Sequence, residues 1–484
     1  MKRWIKIGRA LKIKKEWIKK DRGICMPKIS IIMPMLNSIK YLRECMDSVI
    51  GQTIKDMEIL PVDAGSTDGT RELLEEYARK DDRIRILHSD RKSAGYQYNL
   101  GIAAALGDYI GFVESDDFIV PEMYEVLWNY AEKTKADWVK ADYFCFMDCF
   151  KGGRQKIPVH DRKFCPTGVV FDPHQYPKQY VQEIFMWRGI YRTQWIKENR
   201  ILLNETPGAS FQDTGFVLQA FMCGKKGLYI EDCLYCYRRD HEGSSSHQPN
   251  TICYEMDEVE YISKIIEKKP DFKESFWNVN YKRAWERFLS AYERVPELKD
   301  CPAKIRHAVD RYRNFLLKEK QRDSLFWENH EMSQIFPKIV WLEAGLEVFD
   351  REYRILDREK ESVLRDGIRK VMMHKKVIVF GCGDNGSGII SLLLRLNQNE
   401  IVCLSDNDKT KWNQEYMGIQ VVPPKELSVD DKTVILIANQ TYFYEIRAQL
   451  IGLGISERQI WLCPQIMRFR GTNLLPEGEI LPLK

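Results

Sequence analysis

The sequence lacks any apolar run approaching the roughly 20 residues that a helix needs to cross a bilayer. It also lacks the continuous apolar stretch of a secretory signal near residue 1. Its net charge is only +4, from 74 basic and 70 acidic residues, so the overall charge does not favour a nucleic-acid partner. These absences together predict a cytoplasmic protein that binds no nucleic acid.

The thirteen cysteines have no repeating spacing, and their number is odd. This pattern predicts free thiols in a reducing compartment rather than a disulfide framework. Cys233 and Cys236 form a single Cys-x-x-Cys pair, but no second pair or histidine cluster accompanies them to complete a zinc site. We interpret both as thiols of the protein core.

Positive charge is concentrated at the start of the chain, in a basic amphipathic segment predicted for residues 1–26. Nine of the first 20 residues are Lys or Arg, and one, Glu16, is acidic. Trp4, Ile7, Leu11 and Ile18 lie near one face of a helix through this segment. The pattern suits a helix on an anionic membrane surface, and it equally suits a solvated basic helix packed on the protein.

With 484 residues the chain is too long for one small core, and its hydrophobic pattern changes along its length. Short β-branched runs near residues 29–33, 58–62, 83–87 and 109–113 alternate with helical patterns that include 70–79 and 95–106. This alternation predicts a mostly parallel sheet with helices on both faces. Residues 140–245 mix short strands with loops.

The remaining chain divides into three further predicted parts. Charged helical patterns dominate 251–370, and a second strand–helix alternation occupies 371–470, with a tail at 471–484. Its strands are predicted at 377–380, 401–404, 433–437 and 460–462. The fold class is therefore α/β, with a large first domain at 27–250, a helical middle segment and a small second α/β domain.

Polar residues follow three of the first four predicted strands. Pro34 to Asn37 follow the first, Asp63 to Gly69 the second, and Glu114 to Asp117 the fourth. Ligands of open parallel sheets bind at these carboxyl ends. Three carboxylates within four residues repel one another unless a cation lies among them, and oxygen ligands suit Mg²⁺ or Mn²⁺ bound jointly with phosphates.

A loop of solvated acids before a helix is the alternative interpretation of the Glu114–Asp117 string. Its position at the end of a buried strand, beside two other polar strand ends, favours the cation site instead.

Five strings in the first quarter of the chain carry a resemblance to a known family. Residues 28–142 resemble the nucleotide-sugar-binding domain of the family 2 inverting glycosyltransferases, which have the GT-A fold. The strings are Ile31–Asn37, Tyr41–Thr53, Val62–Thr70, Asn99–Gly101 and Glu114–Asp117. Further on, Trp187–Arg192 and Gly208–Phe216 resemble the acceptor half of the same family.

The resemblance implies a nucleoside-diphospho-sugar donor, a glycan or lipid-linked acceptor, and Mn²⁺ or Mg²⁺. Asp63 would accept a hydrogen bond from the nucleobase, Asp116 would hold the cation, and Asp213 would be the general base. Pro34 and Asn37 would line the base and ribose pocket. The donor side would also include Asp68, Ser93, Glu114 and Ser115, and contacts to phosphate or acceptor would come from Trp187, Arg238 and His241.

Three positions depart from the family pattern. Ala64 stands where many members have a second acid, Glu114 replaces a leading Asp, and Tyr98 stands where Arg is common. Glu114 still supplies a carboxylate, so cation binding is compatible with the sequence. The other two changes leave the choice of donor and the phosphate contacts open.

A glycine pattern opens the second α/β region. The strand at 377–380 leads into Gly381, Gly383 and Gly386, and Asp406 follows Gly386 by twenty positions, at the end of the next strand. A strand before, a helix after and an acid at this distance are the context of a dinucleotide-binding fingerprint. The region resembles small Rossmann-like domains appended to bacterial polysaccharide-biosynthesis proteins, so a nucleotide site and a purely structural module both fit. We predict no NAD turnover.

The sequence therefore predicts metal-dependent, inverting transfer of a sugar, UDP-linked, to a hydroxyl of a glycan or lipid-linked acceptor at the inner face of a bacterial membrane. Two other functions stay open: an oxidoreductase or epimerase centred on Gly381–Asp406, and a non-catalytic assembly protein.

Overall fold

The structure is a computed structural model. It describes residues 26–148, 154–160, 165–176, 179–180, 185–238, 250–269, 273–292, 295, 298–320, 336–354, 375–382, 386, 390, 393–394, 400–438 and 443–462. The basic segment as far as residue 25 and the tail at 471–484 lie outside these residues. The described residues form two compact units. The first lies within residues 26–146 and 156–284. The second contains the residues from 285 onward together with the short stretch at 147–155.

The first unit begins with the predicted strand–helix alternation. Strands β1 (Ile29–Met35), β2 (Met57–Asp63), β3 (Leu87–His88) and β4 (Tyr109–Phe112) are separated by helices α1 (Ile39–Ile50), α2 (Thr70–Lys80) and α3 (Ala94–Ala104). β1 pairs in parallel with β2 and with β4, and β2 pairs in parallel with β3. Nearly every residue of β1 and β2 is buried, as expected of central parallel strands covered on both faces.

The third strand is shorter than predicted, and Pro61 explains the difference. Ile59 of β2 exchanges backbone hydrogen bonds with Arg83 and Arg85, so the chain does follow β2 there. The next donor toward this neighbour is residue 61, and proline has no N–H to give. Regular pairing resumes only at Leu87, opposite Val62.

The second half of this unit completes a mixed sheet. It contains β5 (Phe118–Ile119), α4 (Met123–Thr134), β6 (Trp138–Asp148), β7 (Arg154–Val159), β8 (Gly189–Arg192), α5 (Thr193–Asn199), α6 (Gln212–Cys223) and β9 (Gly227–Arg238). The strand order is β3-β2-β1-β4-β8-β6-β9-β5, with β7 beside β6. β8 runs antiparallel to both β4 and β6.

Strands β6 and β9 are long, whereas the sequence pattern predicted short strands in 140–245. They span 11 and 12 residues and pair in parallel, with register shifts near Asp142. Aromatic side chains on both strands pack together, for example Trp138 against Tyr229 at 5.3 Å between ring centroids. Such cross-strand aromatic pairs stabilise strands whose polar and apolar residues do not alternate regularly.

Helices fill the segment predicted to be helical. They are α7 (Thr251–Glu267), α8 (Lys273–Tyr292), α9 (Ala303–Lys320) and α10 (Phe336–Ala344), and residues 346–354 are helical as well. None of the helices in the described residues is both long and apolar enough to cross a membrane.

A second, smaller sheet lies near the end of the chain. Its strands are β10 (Lys376–Phe380), β11 (Glu400–Ser405), β12 (Glu415–Tyr416), β13 (Ile419–Val422), β14 (Thr433–Ile437) and β15 (Ile460–Leu462), with α11 (Phe443–Gly452) before β15. The order is β12-β13-β11-β10-β14-β15, and only β12 is antiparallel to its neighbour. The α/β fold class with a second small sheet is thereby confirmed.

Gln52, in one of the family-like strings, fastens the first helix to the start of α4. Its side chain is fully buried; Nε2 donates to the backbone oxygen of Val120 at 2.7 Å, and Oε1 accepts from the backbone N–H of Tyr124 at 3.0 Å. The Tyr124 N–H lies in the first turn of α4, where helices have no internal acceptor. One side chain therefore satisfies the buried N–H of Tyr124 and adds a second donor to the Val120 oxygen, which also accepts from the Met123 N–H at 3.2 Å.

Replacing Gln52 by Leu should destabilise the first unit because Val120 and Tyr124 would each lose a partner. A buried unsatisfied polar group costs about 1–3 kcal/mol, so we expect a loss of about 2–4 kcal/mol in the free energy of unfolding. Differential scanning calorimetry would measure it. The neighbouring Thr53 is exposed, and Thr53→Ala should change stability by less than about 1 kcal/mol. Equal stability of Gln52→Leu and the parent protein would contradict this account.

Candidate active site

The polar residues that follow β1, β2 and β4 meet at one edge of the first sheet. The hydroxyl of Ser38, after β1, lies 2.7 Å from that of Ser115, after β4. Asn37 joins the first and second segments, because its N–H donates to Ser66 at 2.9 Å and its Oδ1 accepts from the Thr67 N–H at 2.9 Å. Asn37 adopts a left-handed backbone with φ of 54°, which asparagine tolerates better than most residues. The three predicted strand ends are therefore neighbours.

Asp63 is the last residue of β2, and only one of its two carboxylate oxygens accepts hydrogen bonds from the described residues. Its Oδ1 accepts from the N–H and the hydroxyl of Ser66, at 3.1 and 2.6 Å. Its Oδ2 is buried and accepts no hydrogen bond within the described part of the chain, although Arg71 Nε lies 3.8 Å away. Leaving such an acceptor unpaired costs about 1–3 kcal/mol, so the position suits a ligand that brings its own N–H.

Several residues predicted for the donor side have a structural use. Asp68 accepts from the backbone N–H groups of Ile39 and Thr70, at the starts of α1 and α2. Burial acts to raise the pKa of Asp68. The hydrogen bonds together lower it by more, so the pKa lies below its ordinary value. Ser93 caps α3 by accepting from the Tyr96 N–H at 3.2 Å. Pro34 lies inside β1, half-buried, opposite Val62.

The acidic loop, residues Glu114 to Asp117, is the most crowded part of the site. Oxygens of Glu114, Asp116 and Asp117 lie within 4.8 Å of one another. Burial, followed by the nearby charges of Asp116 and Asp213, raises the pKa of Glu114 well above its ordinary value. Burial and the charges of Asp116 and Glu114 likewise raise the pKa of Asp117. Within the described residues, no other group of three or more His, Cys or acidic side chains is close enough to hold a metal ion.

Tyr235 and Arg238 at the end of β9 hold this loop in place. The Tyr235 hydroxyl donates to Asp117 Oδ2 at 2.7 Å and accepts from the Glu114 N–H at 3.0 Å. The backbone N–H of Arg238 donates to Asp117 Oδ1 at 2.8 Å, and its Nε donates to the backbone oxygen of Asp116 at 2.9 Å. Asp117 is thus saturated by protein donors, which leaves Glu114 and Asp116 as the half-buried carboxylates that could reach a cation.

Arg238 was predicted to contact phosphate or acceptor, and its surroundings give it a different use. Its side chain is only 1% exposed, forms an ion pair with Glu44 at 3.0 Å, and lies over the Tyr41 ring. The guanidinium lies buried beside the acidic loop, and its positive charge therefore offsets the negative charge there. His241, predicted for the same contacts, lies outside the described residues.

Trp187 also differs from its predicted role on the acceptor side. It is 2% exposed and stacks on Tyr235 at 4.1 Å and on Tyr237 at 5.4 Å between ring centroids. The buried Trp187 ring packs against two residues of β9 and supports that strand. Because Tyr235 is hydrogen-bonded to the acidic loop, Trp187 also supports the loop indirectly.

Two buried side chains of α3 face the site, and sequence reasoning assigned a role to neither. Gln97 donates from Nε2 to the backbone oxygens of Met35 and Val62, at 2.9 and 2.5 Å, and so joins the ends of β1 and β2. Tyr98 is 4% exposed, and its hydroxyl has no hydrogen-bond partner in the described residues. Burial, followed by the charges of Glu114 and Asp213, raises the pKa of Tyr98, so its hydroxyl keeps its proton.

Asp213 lies in the first turn of α6, across the site from the acidic loop. Its Oδ1 accepts from the Thr214 N–H at 2.9 Å, and the preceding Phe211 has a left-handed backbone with φ of 66°. Its charge contributes to the raised pKa values of both Glu114 and Tyr98, and α6 packs against β4, with the Phe216 and Phe112 rings 5.2 Å apart between centroids. The structure thus brings the two ends of the predicted machinery together from residues about 100 positions apart.

The glycine loop of the second sheet is arranged differently from a nucleotide cradle. Asp406, after β11, accepts from the backbone N–H of Cys382 at 2.7 Å and from Lys411 Nζ at 3.2 Å. Gly381 has φ of 110°, and a Cβ on Gly386 would lie 1.9 Å from the Gly381 oxygen, so both glycines are required by backbone geometry. Gly383 lies outside the described residues. Within the described part of this loop, the Cys382 N–H is therefore already paired with a carboxylate of the protein.

Comparisons with known proteins find a family match in each of the two α/β regions. Residues 30–210 match glycosyl transferase family 2, and residues 373–461 match a family described as C2185-like, N-terminal. The chain is 30% identical over 242 residues to the glycosyltransferase GlyG of Streptococcus pneumoniae serotype 4, covering 49% of this chain and 79% of that protein. It is 28% identical over 263 residues to the uncharacterized glycosyltransferase EpsJ of Bacillus subtilis, covering 52% of this chain and 70% of that one.

Among solved structures, that of S. aureus TarS aligns with a TM-score of 0.42 and 20% identity, covering 60% of this chain and 54% of that chain. The predicted resemblance is confirmed by the family match and by GlyG. The chain belongs to glycosyl transferase family 2, and it is a glycosyltransferase with a GT-A first unit.

Proposed function

We propose that the first unit transfers a sugar, with inversion, from a UDP-linked donor to a hydroxyl of a glycan or lipid-linked acceptor, with Mn²⁺ or Mg²⁺ bound at the acidic loop. The observation that carries this proposal is the packing of α6, which contains Asp213, against the strand that leads into the acidic loop: the rings of Phe216 in α6 and Phe112 in β4 lie 5.2 Å apart between centroids. A single displacement at a sugar carbon needs a base on one side and charge compensation for the diphosphate on the other.

The residues around the acidic loop fit a divalent cation. Glu114 and Asp116 offer hard oxygen ligands, and the pKa of Glu114 is raised by burial and then by repulsion from Asp116 and Asp213, which a cation would relieve. When bound, the ion supplies positive charge that offsets the charge on the departing diphosphate. We assign the direct contact to Asp116, with Glu114 and Ser115 beside it.

The other residues have roles in binding and proton transfer. The unpaired Oδ2 of Asp63 accepts an N–H of the nucleobase, and Asn37 and Pro34 border the same pocket. Asp213 takes the proton from the acceptor hydroxyl as that oxygen attacks the sugar carbon and the bond to the diphosphate breaks. The buried Tyr98 hydroxyl donates toward the phosphate side, in the place where many relatives have an arginine.

For the chain as a whole we propose five parts: a basic segment at 1–26, a catalytic domain at 27–250, helices at 251–370, a second α/β domain at 371–470 and a tail at 471–484. The carboxylate of Asp406 at the glycine loop argues against an oxidoreductase built on Gly381, Gly383 and Gly386, because it occupies a loop N–H that a cofactor diphosphate would need.

Substitution of the two key carboxylates should separate their roles. Nucleoside diphosphate release would be measured with UDP-glucose, UDP-galactose, UDP-N-acetylglucosamine and GDP-mannose, with Mn²⁺ or a chelator. Asp116→Asn should lower turnover by about two orders of magnitude, because charge compensation is lost. Asp213→Asn should leave donor affinity within about twofold yet slow transfer by about 10²–10⁴, the usual contribution of a general base.

The exposed Asp232 on β9 provides a matched control, and Asp232→Asn should retain full turnover. Full metal-dependent activity of Asp116→Asn would refute the cation assignment. Loss of donor binding in Asp213→Asn would refute its role as a base.

Cation affinity should depend on pH because a proton and the cation compete for Glu114. Its raised pKa means that the folded protein keeps this proton at pH values where an exposed glutamate, with a pKa of about 4.3, is ionised. As pH rises through the raised pKa, the cation-free protein loses the stability that the protonated form provides. Mn²⁺ should therefore bind more tightly, by up to about tenfold per pH unit for one displaced proton.

Titration calorimetry with Mn²⁺ at several pH values above about 5 would measure this slope. Glu114→Gln should flatten it, whereas Glu122→Gln, at an exposed position beside α4, should not. An affinity that is independent of pH in the parent protein would contradict the competition.

Contact with an anionic membrane through residues 1–20 completes the proposal, since it would bring a lipid-linked acceptor to an enzyme at the inner membrane face. Nine basic residues at about 1 kcal/mol each near an anionic surface are ample for binding. Co-sedimentation with phosphatidylglycerol vesicles should be lost on replacing six of these residues by Gln and on raising the salt. Retained binding by that variant would exclude the segment as the anchor.

A further inference from the structure

Two buried ionisable side chains from the middle helices form hydrogen bonds with the first turn of α6, the turn that contains Asp213. Glu258 of α7 is 3% exposed; its Oε1 accepts from the backbone N–H of Gly215 at 2.8 Å, and its Oε2 accepts from Asn204 Nδ2 at 3.1 Å. In a regular helix the Gly215 N–H would donate to the Phe211 oxygen, but that oxygen accepts from the Thr214 N–H at 3.1 Å. Glu258 thus acts as an acceptor brought in from a different helix.

Gly215 makes this contact sterically possible. A Cβ at this position would lie 2.4 Å from Glu258 Oε1 and 3.0 Å from the ring of Tyr261. Glycine inside a helix costs about 1 kcal/mol relative to alanine. The sequence accepts that cost where the carboxylate of Glu258 must approach the backbone of α6.

Arg283 of α8 holds the adjacent residue. Its Nη2 donates to the hydroxyl of Thr214 at 3.0 Å and its Nη1 donates to the backbone oxygen of Tyr180 at 3.4 Å, and the residue is 4% exposed. The guanidinium also lies over the Tyr180 ring, 4.9 Å from its centroid. Asp213, Thr214 and Gly215 are therefore consecutive, and the second and third of them are fixed by buried groups of opposite charge.

We propose that Glu258 and Arg283 are positioning residues for Asp213, and that α7 and α8 form part of the catalytic centre by fixing the first turn of α6. The inference rests on the proposed role of Asp213 as the base. A rotation or slide of α6 would break both contacts at once, and two buried ionisable side chains would each lose a hydrogen-bond partner, which is costly. The backbone that carries Asp213 is thereby held in one position.

The environment of Glu258 fits this role rather than that of a solvated helix face. Burial raises its pKa to about 8, although the hydrogen bonds from Asn204 and Gly215 and the charge of Arg283 act in the opposite direction. The charge of Asp213 adds to the rise. The two carboxyl groups therefore lie close enough to affect each other electrostatically.

The test compares Gly215→Ala, Glu258→Ala and Glu258→Gln with Glu267→Ala, which removes an exposed carboxylate from the same helix. Turnover of the UDP-sugar accepted by the parent protein would be measured together with donor affinity. Misplacing a catalytic group by about 1 Å can cost 10²-fold, so Glu258→Ala and Gly215→Ala should each lower kcat by roughly 10- to 100-fold, while KM for the donor stays within about twofold. Glu258→Gln keeps an acceptor for Gly215 and should retain kcat within about threefold.

A second-site rescue separates positioning from general packing. Aspartate is one methylene shorter than glutamate, so Glu258→Asp makes room for the methyl group of Gly215→Ala. The double variant should have a higher kcat than Gly215→Ala alone, a coupling that independent effects would not show. If Glu258→Ala does not fold, this pair carries the test.

Hydrogen exchange provides a readout that does not depend on turnover. Peptides covering 210–218 should exchange faster in Glu258→Ala and at the parent rate in Glu267→Ala. Parent-like kcat and exchange in Glu258→Ala, or a double variant no better than Gly215→Ala, would overturn the proposal. Faster exchange together with no turnover by the parent protein on any nucleotide sugar would instead refute the proposed function and leave the grip on α6 standing.

Discussion

The mutual repulsion of the carboxylates after β4 is the constraint on which the rest of the first unit depends. Glu114, Asp116 and Asp117 are crowded at a half-buried edge, and unpaired charges of like sign at such distances would drive the loop toward solvent. The protein opposes this with Tyr235 and Arg238, which arrive on β9 from more than 100 residues away. The length of β9 and the aromatic stack behind it follow from this need for a rigid support.

The same constraint explains why the three acids are not equivalent. Asp117 accepts hydrogen bonds from Tyr235 and Arg238 and anchors the loop, whereas Glu114 and Asp116 are only half-buried. In the proposed enzyme, the longer side chain of Glu114 would let a carboxylate reach the cation even though the usual leading aspartate is absent. The departure from the family pattern is thus compatible with the local geometry.

Much of the first unit could be predicted from the sequence because its signals are local. Buried β-branched runs marked β1, β2 and β4, and polar residues after them marked the ligand edge, since strand ends of a parallel sheet meet by construction. Pro61 could also be seen in the sequence. Its effect on β3 depends on which neighbouring strand lies on the side where residue 61 would donate an N–H, and only the arrangement of the sheet determines that.

What could not be predicted depends on contacts between distant segments. Arg238 and Trp187 looked like ligand contacts because the family-like strings placed them near the site, and only packing shows that both face inward. Glu258 and Arg283 gave no signal at all, since an acid and a base in a charged helical stretch resemble a solvated surface. Burial, which distinguishes them, is absent from the one-dimensional pattern.

The glycine loop of the second sheet leads to a different kind of conclusion. Because Asp406 already accepts the Cys382 N–H, any diphosphate arriving there would have to displace a tethered anion whose effective local concentration is far above that of a free ligand. The Asp406 carboxylate, which forms an ion pair with Lys411, would thus compete with the ligand for this N–H. Binding of a diphosphate to this N–H would exchange one anion for another. A neutral side chain in place of Asp406 would remove the anion that now accepts from the Cys382 N–H and leave that N–H available to a ligand.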